Sequence, residues 1–378
     1  MKTIFGLVRR RLFGLPAGAV DFQRRGFRGA TPLLRQRLEA VGGAFLAGCH
    51  LALESDSLAG LESRLAKMDL ELRGFAFEGA AMGLALLDFL TPWRRDRVRA
   101  FLQGAGDAHA YMIHVGIGWI WARAPFGFRR GKKELDPLLN WLALLDFLTP
   151  WRRDRISKFL QGAGDAHAYM IHVGVGWVWA RMSFGFRRAQ KKLDPLLGWL
   201  AFDGWGFHEG FFHWPKYIVG QPPPGKLSGY ERRVFDQGLG RSFWFVNGGS
   251  VELVAQTISN FPADRQSDLW SGIGLAVTYA GIVSETSLGE LREKAGSFQP
   301  QLAQGAAFAA KARQRAGNLT DYNNLATKIL CGLTAADAAR ITDEALENLP
   351  ADADVPAYEI WRRRIQNHFA PTRQLQKT

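Results

Sequence analysis

The sequence has few cysteines and no long apolar run, and both shortages limit what the protein can be. Cys49 and Cys331 are the only cysteines among 378 residues, which excludes a disulfide framework and a zinc site built from several cysteines. The longest apolar stretches, 41–47 and 111–122, are far shorter than the roughly 18 to 20 residues that a membrane-spanning helix needs. We therefore predict a protein that is not transmembrane.

Familiar targeting and catalytic motifs are also missing. The N-terminus is basic, but Arg9, Arg10 and Arg11 interrupt its apolar character, so we expect no signal peptide and a cytoplasmic location. The sequence contains no phosphate-binding Gly-Lys-Ser/Thr loop, no nucleophile elbow and no carboxylate-rich magnesium cluster. Nucleotide-driven and serine-hydrolase chemistry are therefore not predicted.

What the chain has instead is a large positive charge. Its 48 Lys and Arg exceed its 35 Asp and Glu, giving a net charge of +13. Such a surplus permits an acidic partner, which could be nucleic acid, an anionic membrane or an acidic carrier protein, although arginines can equally lie on solvated helix faces. Because no RRM, zinc-finger or helix-turn-helix signature accompanies the charge, no nucleic-acid partner is predicted.

The most informative feature is a near-perfect internal duplication. Residues 84–141 and 142–199 align without a gap over 58 positions, of which 47 are identical. A compact single-core domain would rarely accept 58 extra residues into its packing, whereas a stacked helical array can, because each unit contacts only its neighbours. The duplication therefore favours an array.

Helical periodicity dominates the chain, and the predicted fold class is all-α: a helical-repeat array of paired helices, resembling an α-solenoid or an α/α toroid. Recurring glycines, as in Phe77-Glu-Gly-Ala80, Ala303-Gln-Gly-Ala306 and Trp270-Ser-Gly-Ile-Gly-Leu275, predict close approach between helix backbones. Gly in a helix costs about 1 kcal/mol, so tight packing should offset it.

Three regions are predicted. Residues 1–70 form a basic N-terminal helical segment that is less regular over 1–32, residues 71–370 form the helical-repeat domain with both duplicate blocks, and 371–378 form a tail. Predicted helices include 33–53, 71–90, 191–202, 204–214 and 287–316.

Candidate site residues cluster on two predicted helix faces. In the second block, Asp165, Tyr169, His172 and Trp179 share one face because they are spaced by four, three and seven residues. The first block carries the same stripe. A purely structural reading has the aspartate capping a helix and the histidine bonding a buried carbonyl.

The second face contains Trp205, His208, Glu209, Phe212 and His213. Glu209 with His208 or His213 could act as a general acid/base couple, supported by Asp165 and His172. The same groups could hold a metal, but His208-Glu-Gly-Phe-Phe-His213 is one residue too long for the zincin motif, and no metal is predicted. The sequence identifies no cofactor and leaves open whether the protein is an enzyme.

Aromatic residues around these faces could line an apolar groove with indole N–H groups as polar handles. The predicted ligand-binding residues are Tyr169, Trp177, Trp179, Phe202, Trp205, Phe211, Phe212 and Trp214. Such a groove would suit a flat or extended unsaturated hydrocarbon, although the same aromatics could instead form a core.

The most distinctive stretches of the chain lie within 71–367, at 77–88, 90–97, 193–214, 230–240, 269–274 and 302–316. In these stretches the chain resembles a family of proteins of unknown function encoded in actinobacterial enediyne polyketide gene clusters. The resemblance implies a role in building or maturing the enediyne core from a linear polyene made by an iterative polyketide synthase. It brings no settled reaction, and the family pattern has one copy of the block that is doubled here.

Three functional hypotheses follow. The leading one is a biosynthetic protein that binds, and could transform, a linear polyene or polyyne intermediate. The second is a non-catalytic scaffold whose basic surface docks the acidic carrier domain of the synthase. The third and remoter one is a protein that sequesters the reactive product to protect the host.

Overall fold

The computed structural model describes residues 4–90, 97–102, 196, 199–225, 227–281, 283–350 and 355–371. All regular elements in these ranges are helices, which confirms the all-α prediction for this part of the chain. The α-helices are α1 (Ile4–Phe13), α2 (Pro32–Glu54), α3 (Leu58–Leu65), α4 (Leu70–Leu90), α5 (Arg97–Leu102), α6 (Leu200–Phe212), α7 (Trp214–Tyr217), α8 (Tyr230–Val246), α9 (Val251–Ser259), α10 (Ala263–Ala280), α11 (Glu285–Ala295), α12 (Gln299–Arg315), α13 (Asp321–Cys331), α14 (Ala335–Glu344) and α15 (Ala357–Phe369). Within the described ranges, none of them combines the length and the apolarity needed to cross a bilayer.

The helices fall into two compact units. The first contains the described residues up to Glu209, except 28–30, together with 315–318. The second contains 28–30, 210–314 and the described residues from 319 onward. Each unit has its own buried apolar side chains and is described separately below.

In the first unit, α2 and α4 pack with their backbones in contact. A Cβ atom on Gly48 would lie 1.8 Å from the carbonyl oxygen of Ala76, and one on Gly79 would lie 1.8 Å from that of Phe45. Only glycine permits this approach, so the sequence prediction for Gly79 is confirmed. The surrounding core contains Ala52, Leu61, Leu65, Ala76, Phe77, Ala80, Ala81, Leu84 and Phe101.

In the second unit, the same reciprocal contact joins α8 to α10. A Cβ atom on Gly240 would lie 2.1 Å from the oxygen of Leu269, and one on Gly272 would lie 2.0 Å from that of Gln237. Each glycine thus meets the carbonyl of the residue three positions before the opposing glycine. The pair Gly48 and Gly79 has this register too.

A third copy of the contact joins α10 to α12. A Cβ atom on Gly274 would lie 1.9 Å from the oxygen of Leu302, and one on Gly305 would lie 1.9 Å from that of Ser271. The glycines that the sequence pattern selected in α10 and α12 therefore do allow close backbone approach.

Helix boundaries differ from the sequence prediction in three places. Residues 4–13, expected to be less regular, form α1, which ends before Pro16 and packs against α2. The expected break at Asp203 is absent because this buried carboxylate lies in the first turn of α6, where the helix dipole favours a negative charge. The expected helix 287–316 is two helices, since Gly296 has a φ of 51° and Pro300 occupies the second position of α12.

Candidate functional site

The predicted site residues divide into those that the structure describes and those that it does not. Asp165, Tyr169, His172, Trp177 and Trp179 lie outside the described residues. The remaining eight lie on α6 or directly after it: Phe202, Trp205, His208, Glu209, Phe211, Phe212, His213 and Trp214.

The predicted acid/base couple on α6 is close in space. Nδ1 of His208 lies 3.3 Å from Oε1 of Glu209, and the imidazole is buried while the carboxylate side chain is 16% exposed. A carboxylate that accepts a hydrogen bond from Nδ1–H fixes the tautomer in which Nε2 is the basic nitrogen, and it stabilises the imidazolium once a proton is taken up. The pair therefore has the composition of a proton-transfer couple.

His213 completes a group of three potential metal ligands. The helix ends at Phe212, and His213 has non-helical dihedral angles (φ −119°, ψ 27°) as the residue that precedes α7. One ligand atom from each of His208, Glu209 and His213 lies within 4.8 Å of the others. The spacing from His208 to His213 is one residue longer than in the zincin motif. Because α6 ends before His213, the two imidazoles nevertheless lie close together. Two imidazoles and one carboxylate match the donor preferences of zinc.

Burial separates the aromatic residues into two sets. Phe202 and Trp205 are buried, and the ring of Phe202 lies 5.9 Å from that of Trp199, so these side chains pack within the protein. Phe211, Phe212 and Trp214 are partly exposed, and the rings of Phe211 and Phe212 meet edge to face at 5.2 Å. Only this second set presents aromatic surface that a ligand could reach without rearrangement.

Gly210 positions the C-terminal half of α6. A Cβ atom there would lie 2.0 Å from Oγ of Ser242 and 2.6 Å from a methyl group of Leu239. A larger residue at this position would require the side chains of Ser242 and Leu239 to move, so Gly210 allows α6 to pack closely against α8.

A buried ionic network in the second unit was not predicted from the sequence. Arg362, whose side chain is fully buried, donates to Asp268 at 2.7 Å and lies 3.6 Å from Glu359. Arg233 donates to both carboxylates at 2.9 and 2.6 Å, and the hydroxyl of Tyr230 donates to Glu359 at 2.8 Å.

Glu359 stays ionised at neutral pH. Burial alone would raise the pKa of Glu359, but the guanidinium groups of Arg362 and Arg233 hold it below the usual value. Burial raises the pKa of Tyr230 well above that of free tyrosine, so its hydroxyl remains a donor. Two arginines thus neutralise two carboxylates, which is the arrangement that buried charges need. A sequence signal existed in the run of three arginines at 362–364, which begins three residues after Glu359.

The second unit also has a cavity of about 230 Å³ near the C-terminal ends of α11, α13 and α15. Arg292, Gln299, Cys331 and His368 are among its lining residues. Burial raises the pKa of the Cys331 thiol well above its usual range, so this cysteine is protonated at neutral pH and is a poor nucleophile. None of the eight predicted site residues that the structure describes lines this cavity.

Comparison with known proteins places the chain in a family. The family model described as protein of unknown function (DUF1702) matches twice, over residues 4–144 and 142–369. The chain therefore belongs to this family. Each match contains one of the two duplicate blocks, and the second begins at the first residue of the second block. No curated protein and no solved structure matches the chain.

Proposed function

We propose that this protein acts in enediyne biosynthesis and binds a linear polyene or polyyne intermediate during formation of the core. The enediyne pathway is proposed because of the family resemblance of the sequence. The observation that carries the site is the close contact between His208 and Glu209, next in sequence to three half-exposed aromatic residues.

The half-exposed aromatic side chains suit an extended unsaturated chain. Phe211, Phe212 and Trp214 offer flat apolar surface, and the faces of conjugated chains stack on aromatic rings. In the second block, Tyr169, Trp177 and Trp179, which lie outside the described residues, remain candidate ligand-binding residues. Phe211, Phe212 and Trp214 form the described part of the proposed aromatic groove.

Catalysis at this site would be proton transfer. His208 would accept a proton from the intermediate, Glu209 would stabilise the imidazolium, and the same proton would return to another carbon, so that double bonds shift with no oxidant or reductant. Asp165 and His172 would support the couple. The group formed by His208, Glu209 and His213 also suits a metal ion, and loss of activity on chelation, with recovery on adding zinc, would favour that version.

The test of the catalytic role is Glu209→Gln in a producing strain. We expect loss of the enediyne core while the purified variant keeps its helical circular dichroism spectrum, because glutamine is nearly isosteric but cannot stabilise the imidazolium. Glu252→Gln, at a side chain that is 73% exposed, is the matched control and should leave the product titre unchanged. An unchanged titre with Glu209→Gln would end this assignment.

The binding role is tested with cis-parinaric acid, a fluorescent linear conjugated tetraene. Phe211→Ser/Phe212→Ser should weaken its binding at least tenfold, since two aromatic contact surfaces are lost. Val219→Ser, at an exposed apolar residue of the same unit, should have no effect. Equal affinity for both variants would contradict a groove at this position.

The competing proposal is a non-catalytic scaffold that docks the acidic carrier domain of the polyketide synthase through the basic surface. The net charge of +13 favours it. Carrier binding that weakens steeply with salt, together with full product titre for His208→Ala and Glu209→Gln, would select this version. A remoter proposal, sequestration of the product for self-protection, requires tight binding of the mature enediyne.

Two further parts of the proposal concern architecture and location. Among the described residues, the reciprocal glycine contact is found once in the first unit and twice in succession in the second, which supports a helical-repeat array. The family match that restarts at residue 142 supports a single family pattern with one block doubled. We place the protein in the cytoplasm, where the synthase would supply the intermediate.

A further inference from the structure

The N-terminal helix α1 exposes an apolar face to solvent. Ile4, Phe5, Val8 and Leu12 are 82%, 79%, 48% and 65% exposed, and Leu7 is 46% exposed. At 100° per residue, Ile4, Phe5, Val8 and Leu12 fall within one arc of about 100°. Five of the eight large apolar side chains found exposed in the described residues thus belong to this ten-residue helix.

The opposite, inward face of α1 carries charge. Arg9 donates to the carbonyl of Leu53 at 2.8 Å and to Asp56 at 2.6 Å, and Arg10 donates to the buried carboxylate of Glu54 at 2.6 Å. A surface helix normally turns its apolar stripe inward and its charges outward. In α1 the apolar arc faces solvent instead, and the contacts of Arg9 and Arg10 hold the helix in this orientation.

Two apolar features of the inward face also fix the orientation. A Cβ atom on Gly6 would lie 2.4 Å from the carbonyl oxygen of Glu54, so the helix axis approaches the end of α2 closely. Phe13 packs on the core cluster that includes Leu53 and Met82. Rotation of α1 to bury its apolar arc would break all of these contacts.

We infer that α1 is a membrane-surface helix, whose apolar arc inserts into the interface of an anionic phospholipid bilayer. The charge of this region favours that occupant over an uncharged apolar surface. Residues 1–56 contain nine Lys and Arg against four Asp and Glu, and the exposed Arg11 lies beside Val8 and Leu7 on the outward face. Large apolar side chains together with arginine on one short helix are the composition that binds the interface of anionic membranes.

The dimensions of α1 agree with a helix that lies on the membrane. Ten residues extend about 15 Å, half the thickness of the hydrocarbon core. Only the apolar side chains of α1 would enter the bilayer, while Arg9 and Arg10 would stay bound to Asp56 and Glu54. The protein would thus be held at the membrane surface, where an apolar polyene would also partition.

Cosedimentation of the purified full-length chain with vesicles tests the inference. The chain should bind vesicles of phosphatidylcholine with 30% phosphatidylglycerol and bind pure phosphatidylcholine vesicles at least tenfold more weakly, and binding should fall as salt is raised. Val8→Gln/Leu12→Gln should lower the binding constant at least tenfold. Leu70→Gln/Val219→Gln makes the same chemical change at other exposed residues and should bind as the parent does.

The charge contribution has its own matched pair of variants. Arg11→Glu should lower binding to the anionic vesicles at least tenfold, whereas Arg315→Glu, an equal charge reversal at another exposed arginine, should change it less than threefold. Circular dichroism checks that each variant is folded. Failure of the parent chain to bind anionic vesicles, or equal binding by Val8→Gln/Leu12→Gln, would overturn the inference. Loss of a dimer in that double variant, seen by light scattering without lipid binding, would assign the face to a second copy of the chain instead.

Discussion

Burial decides how much each charged residue contributes to stability, and two adjacent arginines of α15 allow a direct comparison. Arg362 is fully buried and Arg363 is 55% exposed, yet both contact Glu359. Arg362→Met should lower the free energy of unfolding by about 3–5 kcal/mol, because Asp268 and Glu359 lose a buried partner. Arg363→Met should cost about 1 kcal/mol or less, because water screens the exposed pair. Urea unfolding measures both, and equal losses would show that the network is not desolvated.

Asp236 predicts a pH dependence of stability. Burial raises the pKa of this carboxyl group to about 6, although the hydrogen-bonded guanidinium of Arg265 opposes the shift. Because the folded carboxyl binds its proton more tightly than the unfolded one, its contribution to stability is full below about pH 4 and is lost as the pH rises through 6.

The change should amount to about 3 kcal/mol between pH 4 and 7, since the pKa shift is about two units. It is measured as the difference in unfolding free energy between the parent and Asp236→Asn across that range. A flat difference between the parent and Asp236→Asn would mean that the pKa of Asp236 is not raised.

At the scale of helices, glycine acts in two opposite ways in this fold. Gly305 of α12 lies where a Cβ atom would meet the oxygen of Ser271 at 1.9 Å, whereas Gly289 of α11 has no neighbour within 4 Å. Gly305→Ala should therefore destabilise the second unit by about 1–3 kcal/mol through overpacking. Gly289→Ala should stabilise it by about 0.5–1 kcal/mol through helix propensity. Thermal unfolding compares the two, and the same sign for both would contradict the backbone contact.

The sequence predicted the positions of the helices better than which face of each helix is buried. Helices expected at 33–53 and 71–90 are observed as α2 and α4, because apolar periodicity and the capping Thr31 are local signals. The orientation of α1 could not be predicted in the same way. It depends on Glu54 and Asp56, more than 40 residues away, which hold arginines that sequence reasoning assigns to solvent.

At the scale of the whole molecule, the duplicated block provides the decisive experiment. Deletion of residues 142–199 joins Trp141 to Leu200 and so recreates the Trp-Leu-Ala junction that the chain already has at 199–201. Because each family match contains one block, we expect the shortened chain to fold with undiminished thermal stability. Circular dichroism and analytical ultracentrifugation measure this, and an insoluble or unfolded product would show that the two blocks depend on each other.

The candidate site was partly predictable for the same reason that the helices were. His208 and Glu209 are adjacent in sequence, so their contact needs only local geometry, and it was predicted from the sequence. The inclusion of His213 depends on where α6 ends, and the partial exposure of Phe211 and Phe212 depends on what packs against the helix. Neither can be read from spacing on an ideal helix.

By itself, the sequence determined the all-helical class of the described residues, the duplication, the excess of positive charge and the glycines that bring helices together, because composition, self-similarity and periodicity are properties of the chain. Tertiary structure alone decided which charges are buried and which apolar side chains face water. Arg362 is buried and Phe5 is exposed because residues distant in sequence determine the surroundings of each side chain. Pairing energies inside a low-dielectric interior can outweigh the intrinsic preference of a side chain for water or for apolar surroundings.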